Sequence, residues 1–335
     1  MKKSLITLAV LAASGVASAQ SSVTLYGLAD IYFGSSKVTN QPRQTVVNGS
    51  GFNTSRFGLK GSEDLGGGLK ANFVLESGFD QSTGAAGSYT NPYTGATSTS
   101  VFSRQSWVGF SGGFGEVKLG KMWTPFDDVK GSGAAGFDAN IFAPAANVWL
   151  SNNYNDRPGN SIYYSTPSLG GFSAAGLYSL GENKTATQKA GKIYGFNVAY
   201  AGGPFAAAVS YQGEQAIGGA TTTKYTQVNT SYDLGVAKIL AAYGNVKTGP
   251  AKANEYQLGV DVPLGAAFSM SGGFAQSKDN AAGGNAKRTG FGLAGKYELS
   301  KRTFVYAGLN TAKSKASGVP DVKTNLYAVG VQHRF

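Results

Sequence analysis

The sequence predicts an all-β protein, a 16-stranded antiparallel transmembrane β-barrel, and three observations carry that prediction. The last nine residues alternate strictly, with Tyr327, Val329, Val331, His333 and Phe335 set against Ala328, Gly330, Gln332 and Arg334. A period of two puts the two sets on opposite faces of a strand. An outward apolar set and an inward small or polar set, ending on an aromatic, fit the last stave of an outer-membrane barrel. All ten prolines fall between alternating segments, as paired strands require, because proline cannot donate to a ladder. Connections between segments alternate between tight and long, the asymmetry of a barrel with short turns at one rim and long loops at the other. A β-sandwich would share the proline pattern but has no reason to keep its long loops at one end.

At the amino end, Lys2 and Lys3 precede an apolar run from Leu5 to Ala13, and Ala17-Ser18-Ala19 supplies a small-residue cleavage pattern. Residues 1–19 are expected to be a signal peptide and residues 20–335 the barrel, 316 residues without a linker. The apolar run is too short to span a bilayer, which takes ~20 apolar residues. With no cysteine, an exported chain must rest on hydrogen bonding and packing. Mean hydropathy is −0.14, compatible with a barrel because only alternate residues meet lipid.

Alternation read against turn signals places strands at 22–34, 52–62, 69–79, 102–111, 116–122, 160–166, 172–179, 191–200, 205–212, 224–232, 236–244, 254–262, 266–275, 288–297, 302–311 and 324–335. The clearest sets Tyr256, Leu258, Val260 and Val262 outward and Glu255, Gln257, Gly259 and Asp261 inward. Tight turns are expected at 64–68, 112–115, 167–171, 201–204, 233–235, 263–265 and 298–301. The other connections are expected to run from about nine to over thirty residues. In hydrocarbon every backbone N–H and C=O must be paired within the protein, so the first strand is expected beside the sixteenth. Cleavage after Ala19 would then bring Gln20 and Phe335 together at one rim. Sixteen strands leave room for an aqueous bore. Its predicted lining (among others Arg56, Lys60, Asn72, Glu76, Asn197, Gln227, Lys238 and Lys296) is too polar for a dry core.

Four segments, VTLYGLAD (23–30), SRFGLKGSEDLGGGLKANFVLE (55–76), SRQSWVGFSGGFGEVKLGK (103–121) and VGVQHRF (329–335), resemble the general porins of Gram-negative bacteria, in their neisserial and beta-proteobacterial branch. The resemblance implies a homotrimer of such barrels, each with a third loop folded into its pore, and members that commonly favour anions. It also implies outer-membrane lipid and the barrel assembly machinery as partners, small hydrophilic solutes and ions as cargo, and no cofactor. Phe335 would carry the assembly signal.

The longest connection, 123–159, is the candidate for the infolded loop, since structureless loops of that length are usually functional. It carries Asp127, Asp128, Asp138 and Asp156, with Phe126, Val129, Phe137, Ile141, Phe142, Val148, Trp149 and Leu150 as apolar anchors. Thr124-Pro125 reads as a helix start, so Asp127 and Asp128 are either the acidic side of a constriction or a first helical turn facing solvent. The resemblance assigns the basic side to Arg56, Arg104 and Arg157, joined by Lys118 or Lys121, while Tyr163 stands where relatives often carry another base. The bland alternative for each is a solvated lumen charge. Facing rows of opposite charge filter solutes by size and sign. Without Lys2 and Lys3 the chain has 27 basic against 18 acidic residues, a formal charge of +9, so a weak anion preference is expected.

The single histidine, His333, sits on a terminal strand, away from any serine triad or zinc cluster, which argues against an enzyme. Gly66-Gly67-Gly68 lacks the Gly-Lys-Ser/Thr of a phosphate loop and reads as a turn. Basic residues spread through strands form no nucleic-acid stripe. The expected function is passive diffusion of small hydrophilic solutes and ions. The alternatives are a substrate-specific anion channel, with a saturable lumen site, and a surface barrel acting as adhesin or receptor, with a plugged bore.

Overall fold

The computed structural model describes residues 22–219, 221–280 and 285–335; the expected signal peptide and Gln20 lie outside them. The described strands are β1 (Ser22–Val38), β2 in two pieces (Gln44–Gly49 and Arg56–Gly66), β3 (Leu69–Gly78), β4 (Gln105–Gly112), β5 (Gly115–Lys121), β6 (Ser161–Ser165), β7 (Phe172–Leu180) and β8 (Lys192–Gly202). They continue as β9 (Phe205–Gln215), β10 (Thr222–Asp233), β11 (Lys238–Thr248), β12 (Ala251–Pro263), β13 (Phe268–Asp279), β14 (Lys287–Glu298), β15 (Thr303–Ala316) and β16 (Val319–Arg334). Each pairs antiparallel with its sequence neighbour, and β1 pairs with β16 from Leu28 opposite Arg334 to Val38 opposite Thr324. The result is a closed barrel of 16 strands without a sheet edge.

At the seam, Gly27 N–H donates to the Phe335 carbonyl at 3.0 Å, and Phe335 N–H donates to the Gly27 carbonyl at 3.1 Å. Position 27 is glycine for a steric reason: a Cβ there would lie 2.4 Å from the Phe335 ring. The terminal aromatic therefore packs across the closure of the barrel.

The break in β2 has a local cause. Asp30, fully buried on β1, accepts the Gly51, Phe52 and Asn53 N–H groups at 2.8 to 3.2 Å and the Tyr306 hydroxyl at 2.7 Å. A side-chain carboxylate thus satisfies backbone donors that a ladder would otherwise hold, and residues 50–55 turn inward instead of continuing the strand. This is why the stave expected at 52–62 starts at Arg56 and acquires an outer piece, Gln44–Gly49.

Two other expectations need correction. The connections β11–β12 (249–250) and β15–β16 (317–318) are only two residues long, although both lie at the rim of the long loops. Strands in this half extend past the apolar band with polar residues, where hydrophobic alternation no longer marks them. For the same reason Pro320 falls inside β16; Pro263, at the opposite rim, is the last residue of β12. Pro320 is tolerated because the β15–β16 register shifts between Ser314 and Ala316, where a bulge relaxes the ladder. Residues 79–104 also contain a small hairpin, Ser88–Thr90 against Thr97–Thr99, that alternation did not reveal.

Outward residues such as Leu258, Tyr256, Phe33, Val329 and Phe196 are exposed, and inward ones such as Glu255, Gln257, Asn197 and Asn310 are buried. They are buried because the connection between β5 and β6 (122–160) lies against them. Its apolar anchors form three clusters with the inner wall: Phe142 and Phe137 with Tyr32, Phe52, Phe304 and Tyr306, Val148 and Trp149 with Ala242, Ala275 and Ala312, and Phe126 and Tyr154 with Tyr225.

Candidate functional site

The 122–160 connection begins with a short helix, α1 (Pro125–Lys130). Thr124 caps it by accepting the Asp127 N–H, proline occupies the first turn, and Asp127 and Asp128 follow where the helix amino terminus favours negative charge. Phe126, fully buried, fixes the helix by edge contact with Tyr154 at 4.6 Å between ring centroids. The Asn197 amide donates to the Pro125 carbonyl at 2.7 Å.

Beyond α1, inward side chains hold the backbone of this segment one group at a time. Gln257 donates to the Gly133 carbonyl (2.9 Å), Ser271 accepts the Gly136 N–H (2.8 Å) and Asn310 donates to the Ala143 carbonyl (3.0 Å). Glu255 accepts the Leu150 and Ser151 N–H groups at 2.5 and 3.0 Å, and Glu214 accepts the Asn155 N–H at 2.6 Å. Irregular backbone at membrane depth is tolerated when protein groups satisfy it in this way. At Gly292 a Cβ would meet the Phe142 carbonyl oxygen at 1.9 Å, so the strand and the segment approach too closely for any side chain.

A polar cavity of about 400 Å³ lies between this segment and the wall. Arg56, Arg104, Arg157 and Asp127 all line it, together with Lys130, Asp138, Asp156 and Trp123. Arg56, which begins the inner piece of β2, and Arg104, which precedes β4, converge on Glu76 of β3, at 3.7 and 2.7 Å. Tyr26 donates to the same carboxylate at 3.0 Å. Trp123 forms a platform, with the Arg157 guanidinium 4.0 Å and that of Arg104 5.3 Å from its ring centroid. Arg157 pairs with Asp156 at 3.1 Å through Nη2, while its buried Nε and Nη1 have no protein partner among the described residues.

The other candidates lie outside this cavity. Lys118 pairs with Glu116 at 2.8 Å and stands over the Trp107 and Tyr163 rings. Lys121 donates to the Arg157 carbonyl at 2.8 Å and covers the Tyr89 ring. Asp128 accepts the Tyr163 hydroxyl at 2.7 Å, so the position that lacks a base holds the helix by a neutral donor instead. Asp127 accepts the Tyr154 hydroxyl; burial pushes its carboxyl up to about 6, with that hydrogen bond and Lys130 opposing. Sequence reasoning missed the roles of Glu76 as shared counter-charge and Trp123 as platform, because neither partnership has a spacing signature.

A closed antiparallel barrel with a polar, charge-lined interior and an apolar exterior defines the class of water-filled outer-membrane channels. The chain belongs to the Gram-negative porin family, whose pattern it matches over residues 6–317. It is 36% identical to the outer membrane porin protein 32 of Delftia acidovorans over 99% of this chain and 95% of that one. It is also 31% identical to an outer membrane porin protein of Bordetella pertussis over the full length of both. Among solved structures, an anion-selective porin from Comamonas acidovorans superimposes with a TM-score of 0.77 and 29% identity, covering 94% of this chain and 100% of that chain. OmpT of Vibrio cholerae, at 15% identity and a TM-score of 0.70, shares the fold. The protein is therefore a porin of the outer membrane, a multi-pass β-barrel.

Proposed function

We propose that this porin is a general diffusion channel with weak anion selectivity, narrowed by the 122–160 segment acting as an infolded third loop. The observation that supports this most directly is the Arg56–Arg104–Arg157 cluster on one cavity with Asp127. Four basic residues (Arg56, Arg104, Lys130 and Arg157) and three acidic ones (Asp127, Asp138 and Asp156) line the cavity, and Glu76 compensates two of the arginines. Such a near balance fits a weak preference, with the unpartnered Arg157 nitrogens giving it a positive sign. Lys121 and Asp128 are then supports of the segment and Lys118 a paired charge of the wall, all set back from the filter.

Trimerisation, the signal peptide at residues 1–19 and the role of Phe335 in recognition by the assembly machinery belong to the same proposal. The Comamonas neighbour, described as anion-selective, is consistent with the sign of the selectivity. The deciding experiment is single-channel current and reversal potential of the refolded protein in a planar bilayer under a KCl gradient. Ohmic current in steps of three with a modest anion preference is expected. A cation preference would defeat the charge assignment, and a silent barrel would defeat the channel reading in favour of an adhesin.

A further inference from the structure

Among the described residues the Arg157 guanidinium pairs only with its chain neighbour Asp156 and stacks only on Trp123. A side chain tethered in this way goes where its backbone goes, so residues 157–159 decide where the charge stands. Each carbonyl of that stretch is taken by a side chain. Lys121, the last residue of β5, donates to the Arg157 carbonyl at 2.8 Å, and Ser161 donates to the Pro158 carbonyl at 3.1 Å. Ser179 of β7, fully buried, donates to the Gly159 carbonyl at 2.6 Å.

Two of these three donors are held in turn by the small hairpin between β3 and β4, Ser88–Thr90 against Thr97–Thr99. Tyr89, on its first strand, covers the Lys121 ammonium at 4.5 Å from the ring centroid. A Cβ on Gly159 would lie 3.2 Å from the Tyr89 hydroxyl. Tyr93, at the tip, meets the Ser179 hydroxyl at 2.6 Å. The single Ser179 proton goes to Gly159, so Tyr93 is the donor to Ser179. Asn91 presents Tyr93 by accepting the Tyr93 and Thr94 N–H groups at 2.9 and 3.2 Å. Just before β8, a Cβ on Gly191 would lie 2.7 Å from the Tyr93 ring, so the wall leaves room for that ring alone. Tyr89 and Tyr93 are half-buried while Ser88, Thr90 and Thr94 are exposed, so the hairpin turns its aromatic side toward its own barrel. The sheet is lowest beneath it, because β5 and β6, with seven and five residues, are the shortest staves.

We propose that Tyr89 and Tyr93 are positioning residues for Arg157: the outer hairpin reaches into its own barrel and fixes this arginine from behind, through Lys121 and Ser179. The inference rests on the reading of Arg157 as a charge of the filter. It gives an exposed outer connection a part in ion selectivity without contact with the ions. The same connection ends in Arg104, which shares the Trp123 platform with Arg157, so one loop orders both guanidinium groups.

The test is the reversal potential of the full-length refolded protein in a planar bilayer under a KCl gradient. It compares the wild type, Arg157→Ala, the Tyr89→Ala/Tyr93→Ala pair and the combination of all three. Neither tyrosine belongs to the barrel ladder, so these variants fold. The tyrosine pair is expected to give at least roughly half the shift that Arg157→Ala gives, and to add nothing on the Arg157→Ala background, since groups that act through one another are not additive. Tyr89→Phe with Tyr93 intact keeps the ring over Lys121 and should restore most of the wild-type value. An unchanged reversal potential in the tyrosine pair, beside a shift in Arg157→Ala, would overturn the inference and leave the filter reading standing. An undiminished shift on the Arg157→Ala background would also overturn it, because the tyrosines would then act on another charge. No shift in Arg157→Ala itself would defeat the filter reading and the inference with it.

Discussion

The inner and outer faces of β12 are built from alternate residues of one strand, yet they obey different solvents. Inward, Glu255 and Gln257 are buried and hydrogen-bonded to the backbone of the 122–160 segment. Outward, Tyr256 and Leu258 are exposed to lipid and touch no loop. The inner face reads as polar and the outer as apolar, the reverse of a soluble domain, because the segment supplies partners inside and hydrocarbon supplies none outside. Burial alone therefore says little about hydrophobicity here; what covers a residue decides its chemistry.

Substitutions that exchange the rules of the two faces should break this comparison most severely. Leu258→Arg puts a charge on the lipid face near mid-strand and is expected to cost about 2–4 kcal/mol, measured by urea unfolding in lipid vesicles. The same change at Gln257 meets protein and water instead, so an equal loss there would contradict the assignment of faces. Glu255→Ala removes the acceptor for the Leu150 and Ser151 N–H groups and should cost about 1–3 kcal/mol. Because it frees the segment from the wall, it should also raise open-channel noise; a quiet channel of unchanged conductance would argue that the segment is held elsewhere.

Smaller effects concern selectivity. Arg157→Ala removes a charge worth about 1 kcal/mol at contact distance in a water-like medium, roughly fivefold for each ion and of opposite sign, so anion over cation permeability should fall by at most roughly thirtyfold. That fall should shrink as salt rises and screening shortens its reach. A reversal potential insensitive to Arg157→Ala would place the filter elsewhere. The smallest expected effect is a pH step. With its carboxyl pushed up to about 6, Asp127 takes up a proton as pH falls from 7 to 5, the cavity loses one negative charge, and anion preference should rise. In the folding equilibrium the sign is fixed too: a raised carboxyl costs stability above pH 6, and that cost disappears below the ordinary carboxylate range. Asp127→Asn should abolish the step in reversal potential, and a step that persists belongs to another group.

Much of this architecture was legible residue by residue. The β12 alternation, the Phe335 terminus and the pairing of first and last strands follow from the period of two and from the need to satisfy every backbone group in lipid. The outer strand ends were not legible, because Lys313-Ser314-Lys315 and Val319-Pro320-Asp321 carry no hydrophobic alternation once above the apolar band. The inward turn at residues 50–55 was hidden as well, since it depends on a carboxylate 21 to 23 residues earlier, Asp30, reaching three amides. Of the candidate site, the arginines could be named from their motifs, but their convergence on Glu76 and Trp123 could not.

By itself, then, the sequence determined the closed barrel, its polar interior and its family, since these rest on local periodicity repeated along the whole chain. Only the tertiary structure decided which charges share the bore and how the 122–160 segment is held. Those outcomes depend on contacts between residues far apart in the chain, such as Asn310 with Ala143, 167 positions apart, which no local pattern encodes.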